Sequence, residues 1–73
     1  MAQAEDVLAM AERHVRQFEA TVARQAVLAA ELEAGGHSVE AERAKAVLVT
    51  FVTSLDLARE HLRIERQARG LEP

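Results

Sequence analysis

The chain has no cysteine, tryptophan or tyrosine, and only one proline, three glycines and two phenylalanines in 73 residues. Without cysteine there is no disulfide scaffold, no thiolate zinc site and no cysteine nucleophile. A basic surplus is also missing. Nine Lys and Arg stand against twelve Asp and Glu, for a formal charge of −3. That balance argues against a free-standing nucleic-acid binder, which must neutralise phosphate. Long apolar runs are absent too: the uncharged stretch from Ala46 to Leu55 is about half of what a bilayer needs and contains Thr50, Thr53 and Ser54. Glu5 and Asp6 stand where a signal peptide would carry its basic n-region, so a cytoplasmic protein is expected.

What is present is alanine and regular apolar spacing. Hydrophobic residues make up 49% of the chain, fifteen of them alanine, which is too apolar for a disordered acidic tail. The length allows a single domain, 1–73. Gly35-Gly36 divides it into two nearly equal halves, and the other breakers, Gly70 and Pro73, lie at the C-terminal end.

In the first half Ala4, Leu8, Ala11, Val15, Phe18, Val22, Gln25, Ala29 and Leu32 follow one another at alternating steps of four and three. The second half repeats this through Ala41, Ala44, Leu48, Phe51, Leu55, Ala58 and Leu62, then fades into Glu65 and Arg69. Such spacing is a heptad seam. It predicts an all-α fold with helices over 5–33 and 38–69. The segment Val47–Thr53 is β-branched enough to pass for a strand, but no turn residue bounds it and the heptad runs through it in phase.

One of the paired glycines is expected to take the left-handed conformation that ends a helix. Ser38 is the expected N-cap of the second helix, with Glu40 and Glu42 favoured at the positive end of its dipole. So short a link makes the helices antiparallel. If facing positions have numbers that total 73, every seam residue meets a seam residue: Leu32 meets Ala41, Ala29 meets Ala44, Gln25 meets Leu48 and Val22 meets Phe51. Phe18 then meets Leu55, Val15 meets Ala58 and Ala11 meets Leu62. The same fold brings Glu5, Asp6 and Glu12 toward Arg63, Arg66 and Arg69. Gln25, the polar member of the seam, either sets register or turns its amide out to water.

Apolar side chains off the seam imply that one hairpin is not the whole assembly. Leu57 lies about 200° around its helix from Leu55. Val49, Leu57 and Ile64 are therefore the expected interface, and Val7, Met10, Val27 and Leu28 flank the seam of the first helix. The economical solution is two hairpins forming a four-helix bundle.

Chemistry-bearing residues are few. His14 and His61, with Glu12 or Glu65, have the composition of a bundle metal site, since the register puts His61 near Glu12. Arg13, Arg59 and Arg63 beside those histidines oppose a cation, so structural histidines are the preferred reading and no cofactor is expected. His37 is placed to help end the first helix. Phosphate loops and nucleophile elbows are absent, which makes an enzyme improbable. Arg59, Arg63 and Arg66 share a face, but Glu60 and Glu65 are interleaved with them, so nucleic acid is not an expected partner.

The succession Glu12-Arg13-His14-Val15, Leu32-Glu33-Ala34-Gly35-Gly36-His37-Ser38, then Ala44, Leu48, Phe51, Ser54-Leu55 and His61 resembles a group of short helical-hairpin proteins of alphaproteobacteria. The resemblance spans roughly residues 10–64. It implies a hairpin in a bacterial cytoplasm and brings no activity with it. The resulting expectation is a self-associating, non-enzymatic interaction module that also presents a helical face to a protein partner. The competing expectation is a metal- or ligand-binding bundle.

Overall fold

The computed structural model describes residues 5–71. Two helices, α1 (Val7–Ala34) and α2 (Ser38–Ala68), fold back on each other as an antiparallel hairpin. The first seam residue, Ala4, and the breaker Pro73 lie outside the described residues. Val47–Thr53 is helical throughout. Two of the segment's neighbouring hydroxyls turn inward on the helix itself: Thr53 Oγ1 donates to the Val49 carbonyl at 3.0 Å and Ser54 Oγ to that of Thr50 at 3.1 Å. None of the described helices is long and apolar enough to cross a membrane.

Each end of the helices has a chemical cause. The Asp6 carboxylate accepts the Ala9 amide at 2.7 Å and caps α1, so the helix starts two residues later than expected. At its other end Gly36 has φ +79°, the His37 amide donates to the Leu32 carbonyl and the Gly36 amide to that of Glu33. This is a Schellman motif, in which a left-handed glycine satisfies carbonyls that the helix leaves open. Gly70 repeats it at the end of α2, with Leu71 bonding back to Arg66 and Gly70 to Gln67. At Gly35 a Cβ would stand 3.1 Å from the His37 ring, which would have to shift by a few tenths of an ångström to admit it.

The start of α2 corrects the expected cap. His37 holds the N-cap position and makes no side-chain capping bond; Ser38 is already the first helical residue. The Schellman motif draws His37 tightly back over the turn, and the helix begins directly after it.

The seam is where the sequence places it. Ala11, Ala29, Ala41, Ala44 and Leu55 are buried, while Leu8, Val15, Phe18, Val22, Leu32, Leu48, Phe51, Ala58 and Leu62 are half-buried. The register is marked by two ion pairs across the helices, Glu33–Lys45 and Glu19–Arg59, the second at 3.6 Å. Each carboxylate sits one residue after a seam position (Leu32, Phe18). Each base sits four residues after the seam residue expected to face it (Ala41, Leu55). Both pairs thus require the same alignment of the two heptads. Gln25 joins the packing by donating its amide to the Ala44 carbonyl at 3.0 Å. Alanine at position 44 leaves that carbonyl accessible to a side chain from the other helix.

Two stability changes follow, both read by urea denaturation at fixed protein concentration. Gly36→Ala is expected to cost about 1–2 kcal/mol, because the turn needs a left-handed residue. Gln25→Ala is expected to cost about 1 kcal/mol through loss of the bond to Ala44; an unchanged midpoint would mean the amide is as well served by water.

Candidate functional site

The two flanks of the seam differ in chemistry, and this divides the hairpin into two broad faces. One face carries the residues that follow the seam on α1 and their counterparts on α2. It holds Glu33–Lys45 and Glu19–Arg59, and the same spacing puts Glu12 level with Arg66. Glu42 adds a second carboxylate to Lys45 at 3.3 Å. Hydrogen bonding to Glu33 and then to Glu42 raises the Lys45 pKa above its ordinary value. This face is charged and largely self-neutralised.

The opposite face is built from residues that precede the seam on α1, namely Val7, His14, Thr21 and Leu28, with Met10, Gln17 and Arg24 outside them. On α2 it carries Val47, Ser54 and His61, with Thr50, Leu57 and Ile64 outside them. Both strings alternate steps of three and four, so each helix carries a second heptad stripe about 100° around from the first. Full charges on this second face gather at the turn end, at Arg24, Glu31, Glu40 and Arg43. Val7, Leu28, Val47, Leu57 and Ile64 are all exposed there.

The expected interface residues are indeed on the surface, Val49 at 66% exposure, Leu57 at 67% and Ile64 at 50%. They do not form one patch. Leu57 and Ile64 are seven residues apart and share the second face. Val49 is turned about 60–80° away from them and lies toward Val52 and the ion-paired face. Assigning an off-seam apolar residue to a flank requires the register. The same register supplies what was missed, the pairing of Leu28 with Val47 and of Thr21 with Ser54 across the second face.

The register sets His14 level with His61 on the second face, as it does Thr21 with Ser54, but does not bring all four metal candidates to one point. His14 precedes Val15 and His61 follows Ala58 by three, so both lie on the second face. Glu12 follows Ala11 and lies on the ion-paired one. Glu65 sits near Arg69, 3.8 Å away. The expected approach of His61 to Glu12 therefore fails, because facing numbers along a seam do not place two residues on one flank. Among the described residues no group of three or more His, Asp or Glu could hold a metal ion.

The end charges also arrange themselves differently from expectation. Glu5 pairs with Arg13 on its own side of the hairpin at 2.9 Å, and Asp6 is spent as a cap. Arg63 holds Glu60, with Nε 2.9 Å from a carboxylate oxygen. Hydrogen bonds from Arg13 and Arg63 lower the pKa values of Glu5 and Glu60 respectively. These pairs are solvated, and the support they add is fully present at neutral pH and lost as pH falls through the lowered values.

A thermal titration with zinc, nickel and iron checks the metal reading. The melting temperature is expected to stay within error for wild type and for His61→Ala alike, and a wild-type rise that His61→Ala abolishes would reinstate it. Compared with family models, curated proteins and solved structures, the chain has no match.

Proposed function

We propose that the chain is a non-enzymatic interaction module whose first partner is itself. The observation that carries this reading is the thinness of the single hairpin. Its buried residues are four alanines and one leucine, while ten large apolar side chains are exposed among the described residues. The chain exposes 5318 Å², where a compact protein of 8.0 kDa would expose about 4,450 Å². Its radius of gyration of 16.2 Å likewise exceeds the roughly 11 Å of a compact domain of this length. Association is the physical route by which so elongated a molecule covers its apolar surface.

The chemistry favours binding over catalysis. Ser54 and Thr53 spend their hydroxyls on their own helix, and Thr21 accepts from Arg24 at 3.3 Å. Arg59 and Arg69 of the basic cluster lie beside carboxylates, which speaks for a structural role over phosphate binding. A bacterial cytoplasmic setting, with the outer polar surface available to a further protein partner, belongs to the same reading.

Sedimentation equilibrium over a wide concentration range tests it. A dimer or higher assembly is expected at micromolar concentration, weakened in Leu57→Glu and Ile64→Glu with helix content retained. A well-folded monomer at all concentrations would overturn self-association.

A further inference from the structure

We infer that a second copy of this chain docks on the face carrying Leu57 and Ile64, about a two-fold axis parallel to the hairpin, so that both turns lie at the same end. This rests on the self-association proposed above and specifies its geometry. Three independent features of the molecule lead to it.

The first is area. Each hairpin exposes 5318 Å², about 870 Å² more than a compact protein of its mass, so two copies carry roughly 1,700 Å² of excess surface. That excess is the size of a standard protein–protein interface, and a face running the length of two helices is large enough to supply it.

The second is shape. An open groove of about 640 Å³ lies on the α1 side of this face, lined by His14, Gln17, Phe18, Ala20, Thr21 and Arg24. On the α2 side Leu57 protrudes, 67% exposed. Because Val15 and Phe18 are aligned with Ala58 and Leu55, Leu57 stands level with Gln17, within the length of the groove. A two-fold axis along the hairpin preserves height and exchanges the sides, so each Leu57 enters the other copy's groove. Knob and hollow on one face are what an isologous interface requires.

The third is charge. At the turn end of this face, Glu31 lies on the outer edge of α1 and Arg43 on the outer edge of α2, at one level. Neither side chain has an ion-pair partner among the described residues. The same axis sets each Glu31 against the other copy's Arg43, and each Met10 against the other copy's Ile64. Rotating about the perpendicular in-plane axis instead sets Glu31 against Met10 and Arg43 against Ile64, stranding charge on apolar surface at both ends.

The chain has no native thiol, so Val39→Cys, at an exposed site beside the turn, accepts one spin label per copy. Label separations under about 30 Å are expected in the assembled protein; separations of about 40 Å or more, set by the length of a helix, would overturn the arrangement. The face is tested by charge exchange. Glu31→Arg and Arg43→Glu should each weaken self-association about tenfold, and mixing the two variants should restore it, because only the mixed pair regains both attractions. Weakening without rescue on mixing would overturn the assignment of the face. Self-association itself would stand if wild type still assembled, and would fall with the arrangement if wild type sedimented as a monomer.

Discussion

The reversal of the chain at Gly36 sets how far every other residue lies from the turn, and that distance decides which side chains can meet. A left-handed glycine at this point closes α1 through the bonds to Leu32 and Glu33 and releases α2 directly after His37. With the link this short, sliding one helix against the other by a turn would break it. The heptads are therefore locked in one alignment, and the ion pairs Glu33–Lys45 and Glu19–Arg59 both obey it. Exposed pairs of that kind are worth under about 1 kcal/mol each. They mark the register more than they enforce it.

Locking the register makes the two flanks unequal. On one, carboxylates and bases lie opposite each other and satisfy one another within a single chain. On the other, leucine, valine, isoleucine and small hydroxyl residues lie opposite each other with charge held back to the turn. A helix with one apolar stripe needs one neighbour; α2 has two stripes about 100° apart, which is close to the angle between neighbours in a square bundle. The seam between α1 and α2 is rich in alanine, so the helices approach closely but bury little apolar area per residue. The second stripe carries the larger exposed side chains. A hairpin of this composition keeps much of its apolar surface in reserve for assembly.

Within that frame the functional reading is one of surface and shape. The hydroxyls of Thr53 and Ser54 are used on their own helix, and Glu12 lies on the opposite flank of the seam from His14 and His61. This distribution disfavours a metal centre built from His14, His61, Glu12 and Glu65 and turns attention to His14 as a wall of the groove beside Phe18. Glu31 and Arg43 matter for the same reason. Opposite charges without an ion-pair partner at one level of a face are what a complementary surface can pair with.

Much of the fold was legible in the residues alone because periodicity is a local property. Steps of three and four from Leu8 to Leu32 and from Ala41 to Leu62 specify helices and their inner face without reference to anything distant. Gly35-Gly36 likewise specifies a reversal. Local reading failed where two elements compete or meet. Ser38 reads as a cap, yet the Schellman motif hands that position to His37. Glu12 and His61 read as neighbours because their numbers match across the seam, yet they flank it on opposite sides. Val49, Leu57 and Ile64 read as one patch, yet the register assigns them to two. The amino-acid order by itself determined the helices, the turn and the seam, since each depends on residues within a few positions of one another. Only the tertiary structure decided the sidedness of the molecule, because a residue's flank acquires meaning once the other helix is fixed in place beside it.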